Sequence, residues 1–166
     1  IYMNLFNSLF SDNNYGSGSY WDDRYKEGKE EYEWFLSWDI IFPQIASHLS
    51  FPVEKCLNIG CGNSPMSKDM LNNDISYITS IDISETVIDQ MKEEYKDEKR
   101  LEWITMDCTA LDFKDKTFDL VVDKGTIDAL YCCENLEEII EQTVREIYRV
   151  LKSGGRYVCI SYGSRN

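Results

Sequence analysis

Five short apolar runs recur along the chain, and the first four end on a glycine or an aspartate. They are Lys55–Gly60 (KCLNIG), Tyr77–Asp82 (YITSID), Leu101–Asp107 (LEWITMD), Phe118–Asp123 (FDLVVD) and Arg156–Ser161 (RYVCIS). Each is too short for a helix and is near-continuously apolar, which predicts strands buried on both faces of a parallel sheet. Helical periods fall between them. Val87, Ile88, Met91 and Tyr95 share one face behind Ser84, a residue suited to capping a helix start. Leu136, Ile139, Ile140, Val144, Ile147 and Leu151 form a second apolar stripe, and Ser153-Gly154-Gly155 predicts its end. A further helix is predicted over Trp38–Leu49, with Pro43 in its first turn or at a kink. Alternating strands and helices with right-handed crossovers give an open, doubly wound α/β sheet. Ligands of such sheets bind at the carboxyl ends of the strands, near the switch point.

Length and charge narrow the partners. The 166 residues fit one domain, and the 43% apolar content supports a packed core. Residues 1–19 are expected to form a flexible segment ahead of a domain over 20–166, divided into a covering segment (20–50) and a core (51–166). Thirty acidic against 17 basic side chains give a net charge of −13. That surface repels phosphate and argues against nucleic acid and anionic membranes. No apolar run approaches the roughly 20 residues of a membrane span, and no signal peptide is visible, so a cytoplasmic location is expected. Six cysteines contain no Cys-x-x-Cys pair, and His48 is the single histidine. No metal site is expected, and histidine-based triads lack support. Cys56, Cys108 and Cys159 read as small core residues in a reducing compartment.

The strand ends carry the chemistry. Gly60-Cys61-Gly62-Asn63-Ser64 follows the first strand and lets a ligand approach the backbone. Alone, Gly-x-Gly is a weak signal and more commonly marks a tight turn without ligand. Asp82 ends the second strand about 20 residues on, where a carboxylate can accept both ribose hydroxyls; a helix cap is the competing role. Asp107 ends the third strand, placed to accept from an adenine amino group beside the Cys108 amide, with a turn cap as its competing role. A dinucleotide fingerprint would need a third glycine where Pro65 stands, and no phosphate-loop motif is present. An adenosine ligand without phosphate, such as S-adenosylmethionine, fits these residues.

Longer motifs point the same way. They are Tyr20-Trp21-Asp22-Asp23-Arg24-Tyr25, Glu33-Trp34-Phe35, Gly60 to Ser64, Asp82-Ile83-Ser84, Met106-Asp107-Cys108 and Asp123-Lys124-Gly125-Thr126-Ile127-Asp128-Ala129. Together, in order over about residues 20–162, they resemble the class I (seven-strand) S-adenosylmethionine-dependent methyltransferases. Within that class they resemble the elongation factor 1-alpha lysine methyltransferases, including those associated with endothelin-converting enzyme 2. The resemblance implies a Rossmann-like fold whose C-terminal strands are missing after the fifth run. It implies cofactor contacts at Trp21, Tyr25, Trp34, Gly60, Gly62, Asp82, Ile83, Asp107, Cys108 and Lys124. It places Asp123 at the catalytic position and leaves Asp128 either anchoring its loop or reading the substrate. Asn58 and Ser64 depart from the acid and third glycine of many class I enzymes; Ser64 agrees with the elongation-factor group.

The resemblance therefore implies protein-lysine methylation, with S-adenosylmethionine as donor, S-adenosylhomocysteine as product and elongation factor 1-alpha as the protein substrate. A small amine or thiol acceptor, or a non-catalytic cofactor-binding subunit, remains open at this point. Aromatic faces at Trp21, Tyr25 and Trp34 suit a sulfonium, although the same side chains would also cover a sheet edge.

Overall fold

Apolar side chains on both faces of each central strand decide the architecture. In β1 (Val53–Ile59), Cys56 points to one side, while Leu57 and Ile59 point to the other. In β4 (Phe118–Lys124), Leu120 and Val122 join Cys56, and Val121 joins Leu57. β2 (Ile75–Asp82) divides the same way, with Ile78 on the first face and Ile81 on the second. A sheet apolar on both sides must be covered on both sides. The computed structural model, which describes residues 15, 17–28, 33–133 and 135–163, shows how.

β3 (Leu101–Thr105) and β5 (Leu151–Ile160) complete a parallel sheet of order β3-β2-β1-β4-β5. Chain order runs outward from β1 on one side through β2 and β3. It then returns to the other side as β4 and β5. The switch point is the crevice between β1 and β4, where Ile59 lies opposite Asp123. That register sets Gly60 beside Lys124 at the carboxyl end of the sheet.

Helices α2 (Trp38–Ile45) and α3 (Met66–Met70) cover the first face through Trp38, Ile41, Met66 and Met70. Trp38 is 1% exposed, and its indole N–H donates to Asn73 Oδ1 at 2.8 Å. α6 (Leu136–Val150) covers the second face, with Ile147 and Val150 against Phe118 and Val121. α4 (Glu85–Glu94) presents Val87, Ile88 and Met91 to Trp103, the face expected from their period. A five-residue helix, α5 (Thr126–Leu130), leaves the end of β4. α1 (Gly18–Glu27) lies across α4.

Some boundaries differ from expectation. The predicted flexible segment 1–19 falls mostly on residues 1–14 and 16, outside the described residues, and α1 already begins at Gly18. The helix predicted to Leu49 ends at Ile45 and continues as a 3-10 turn, Ala46–His48. α6 stops at Val150 rather than at the glycines. Leu151 is already extended and pairs with Phe118, so strand pairing overrides the helical period. The stripe also rotates: Thr143 is buried, its hydroxyl donating to the Ile139 carbonyl, whereas Val144 is 48% exposed. Cys159 is exposed on the edge strand β5, its thiol 3.7 Å from Asp123 Oδ2, so it is not a core residue, while Cys56 is fully buried.

Ser84 caps α4 as its position suggests, its hydroxyl oxygen accepting from the Val87 amide at 3.3 Å. The same hydroxyl donates to Asp22 Oδ1 of α1 at 2.5 Å, and the Thr86 amide donates to that oxygen too. The helix start therefore also anchors α1, and an aspartate there favours the helix dipole. Ser84→Ala is expected to lower unfolding free energy by about 1–2 kcal/mol, measured by urea denaturation. No change would mean that neither the cap nor the anchor is held in solution.

Candidate functional site

The carboxyl ends of β1, β2, β3 and β4 border one cavity. Beyond β1 the chain turns at Gly60 and Gly62, with φ of 59° and 53°. A Cβ at Gly60 would sit 2.0 Å from Thr126 Oγ1, whose hydroxyl donates to the Ile59 carbonyl at 2.9 Å. A Cβ at Gly62 would sit 2.9 Å from the Tyr25 hydroxyl. Neither position tolerates a side chain without moving the wall of the cavity.

Asp82 ends β2 with its carboxylate 7% exposed. Oδ2 accepts from the Gly62 amide at 2.9 Å and Oδ1 from the Ser84 amide at 3.0 Å. Burial pushes its pKa up, while the backbone amides of Ser84, Gly62 and Ile83 work against that by holding the ionised form. Asp82 thus locks the glycine turn to the start of α4. It supports the helix start through Ser84, the residue that caps α4, and it borders the cavity as well. Asp107 follows the same logic: Oδ1 accepts from the Thr109 amide and hydroxyl at 2.8 Å, and the residue lines the cavity. Cys108 lies beside it, its thiol pushed up to about 12 by burial and so held as the thiol.

The N-terminal segment forms the roof. Trp21 and Tyr25 stack at 6.0 Å on α1, and Gln90 of α4 donates to the Tyr25 carbonyl at 3.0 Å. Glu33 pairs with Lys124, and Lys124 Nζ also donates to the Trp34 carbonyl at 3.1 Å. The Glu33 carboxylate accepts from the Ser64 hydroxyl as well. One carboxylate therefore ties the roof to both the glycine turn and the end of β4. Burial pulls the Lys124 ammonium down to about 8, and its contact with Glu33 opposes that shift. No local pattern marks Glu33 or Asp22 as a tie, because each finds its partner far along the chain.

The cavity measures about 820 Å³, within the range of small-molecule and cofactor sites. Trp21, Tyr25, Trp34, Gly60, Gly62, Asp82, Ile83, Asp107, Cys108 and Lys124 all line it. Asp123 does not. Its carboxylate, 1% exposed, turns inward: Oδ1 accepts from the Thr126 and Ile127 amides, and Oδ2 from the Tyr157 hydroxyl at 3.0 Å. Asn58, doubtful from sequence, does line it. Its amide nitrogen donates to Ser67 Oγ at 2.8 Å, and Ser67 is bonded to Ser80. Its Oδ1 is buried with no partner among the described residues. A carbonyl held in that way suits an ammonium donor. With the Asp82 carboxylate and the apolar Ile83 and Met106, the donor set fits an adenosyl ligand bearing an amino-acid tail.

The comparisons with known proteins agree with this geometry. The family model described as "Methyltransferase domain" matches residues 57–159, and the chain belongs to that family. Over 157 residues it is 39% identical to the mouse eEF1A lysine and N-terminal methyltransferase, an alignment covering 91% of this chain and 22% of that protein. It is 34% identical over 157 residues to the mouse EEF1A lysine methyltransferase 4, covering 89% of this chain and 61% of that one. The chain thus spans from about a fifth to three fifths of the relatives it matches. Among solved structures, a Pyrococcus horikoshii protein superposes with a TM-score of 0.62 at 27% identity, covering 73% of this chain and 54% of the other. A Methanococcus maripaludis protein described as an S-adenosyl-L-methionine-dependent methyltransferase gives 0.60 at 26%, covering 72% and 53%. Among the described residues no group of three or more His, Cys, Asp or Glu is placed to hold a metal ion. No described helix is long and apolar enough to cross a membrane.

Proposed function

We propose that this domain binds S-adenosylmethionine and methylates a lysine side chain of elongation factor 1-alpha. The observation that carries the reading is the switch-point cavity. It joins a glycine turn, the Asp82 carboxylate and an aromatic roof in a chain similar over most of its length to eEF1A methyltransferases.

When bound, the cofactor supplies a methyl group carried on a sulfonium; the protein's task is alignment and exclusion of water. Asp82 accepts the ribose hydroxyls with lone pairs that the backbone amides leave available. Gly60 and Gly62 admit the ligand to the backbone. Asn58 Oδ1 would accept from its ammonium, and Ile83, Asp107 and Cys108 would hold its base. Trp21, Tyr25 and Trp34 would cover it and offer π-faces to positive charge. Lys124 holds the roof shut. Asp123 is a positioning residue: it fixes the start of α5 and the Tyr157 hydroxyl, and so shapes the wall through which the acceptor enters.

The acceptor amine must be neutral to react, against a reference lysine pKa of about 10.4. A roofed, largely apolar site lowers that value by desolvation. The chain's charge of −13 would also speed encounter with a basic protein. We place the enzyme in the cytoplasm, where elongation acts.

The test is methyl transfer from radiolabelled S-adenosylmethionine to purified elongation factor 1-alpha by the full-length protein. Label on lysine is expected. Cofactor binding with label on no lysine would remove the substrate assignment.

A further inference from the structure

The cavity extends past the strand ends that carry Asp82 and Asp107. Read across the sheet, Asp107 lies beyond β3, Asp82 beyond β2, and Gly60 and Lys124 beyond β1 and β4. The wall then continues past β4 to the end of β5, through Asp128, Tyr131, Ser161 and Tyr162. The groups that suit the cofactor all lie on the β3-to-β4 side. The other end holds one acid.

That acid is Asp128, on α5. Its Oδ1 is committed, accepting from the Ser161 hydroxyl at 3.0 Å and the Tyr162 amide at 3.1 Å. Its Oδ2 is buried and has no hydrogen-bond partner among the described residues. A buried, unmatched carboxylate oxygen is costly, so such an oxygen points to a missing donor. Aromatic residues line the same cavity. Phe35 stacks on Tyr162 at 6.2 Å with 24° between planes, and Trp34 meets Phe35 edge-on at 6.1 Å. An acid oxygen and π-faces in one cavity suit an alkylammonium: the acid takes an N–H, and the rings take the charge and the methylenes.

We infer that Asp128 Oδ2 docks the ammonium of the incoming acceptor, a primary amine on an unbranched aliphatic stem, with Phe35 and Tyr162 flanking the stem. This rests on the reading of the cavity as a methyltransferase site and names the residue that selects its second substrate. The role is capture of the protonated amine as it arrives from water; transfer itself takes the neutral amine.

The test uses the full-length protein with excess S-adenosylhomocysteine. It is titrated by NMR with Nα-acetyl-lysine N-methylamide, and separately with the uncharged norleucine analogue. The parent is expected to bind the lysine probe at least tenfold more tightly. Asp128→Asn keeps a carbonyl oxygen for Ser161 and Tyr162 and removes the charge, so it should lose that preference while S-adenosylhomocysteine affinity stays within about twofold. Ser161→Ala removes one tether donor, leaves the carboxylate and should keep the preference. A parent that does not prefer lysine, or an Asp128→Asn protein that still does, overturns the inference. The separate methylation assay keeps the two readings apart. Preference for the lysine probe without methylation of elongation factor 1-alpha retains the docking residue and removes the assigned substrate. Methylation by a parent whose preference survives Asp128→Asn removes the docking residue alone.

Discussion

Asp82→Ala should weaken S-adenosylhomocysteine binding by at least about 100-fold. The side chain offers two charge-assisted acceptors to ribose hydroxyls, each contributing roughly 1.5–3 kcal/mol; losing both exceeds the 2.7 kcal/mol that separates a hundredfold in affinity. The same substitution strips acceptors from the Gly62 and Ser84 amides, so the glycine turn loosens and the loss grows. Isothermal titration of parent and variant measures the first effect, and thermal melting followed by circular dichroism measures the second. Asp82→Asn separates them, because its carbonyl oxygen still serves one amide. Equal affinity in parent and alanine variant would place the adenosyl group elsewhere.

The second large effect belongs to the roof. Lys124→Met removes the cation that Glu33 and the Trp34 carbonyl share. The Lys124 side chain is 4% exposed and that of Glu33 25%, so Glu33 is left partly buried without its counter-charge. Breaking a buried pair from one side costs about 3–5 kcal/mol; Glu33's partial access to water puts this case at the low end. The segment carrying Trp34 and Phe35 should release from the end of β4. S-adenosylhomocysteine affinity should fall about tenfold, and limited trypsin digestion should cut near Arg24 and Lys26 at a higher rate. The pair Glu33→Gln with Lys124→Met leaves no lone charge and should recover part of the loss. Unchanged digestion in the single variant would show that the aromatic contacts alone hold the roof.

Asp123 and Lys124 show how far a motif can be read. They are neighbours on one strand, so their side chains leave opposite faces. The motif marks both as functional and cannot say which faces the cavity. The register of β4 between β1 and β5 decides it, sending Lys124 to the roof and Asp123 inward to Tyr157. α6 makes the same point for helices. Its sequence period runs on to Leu151, and only the pairing of Leu151 with Phe118 ends it early.

What the sequence determined by itself is local and periodic. Continuous apolar runs specify strands covered on both faces, their spacing specifies the doubly wound sheet, and Gly60, Gly62, Asp82 and Asp107 mark the strand ends where such a sheet binds ligands. These follow from steric limits on the backbone and from the need to bury apolar surface. What only the tertiary structure decided is which distant groups meet. Asp22 reaches Ser84, Glu33 reaches Ser64 and Lys124, and Ser161 and Tyr162 reach Asp128. These pairs are separated by about 30 to 90 residues, and no local preference encodes them. They form because the crossovers bring the strand ends together, where a buried charge or amide must find a partner or bear the full cost of leaving water.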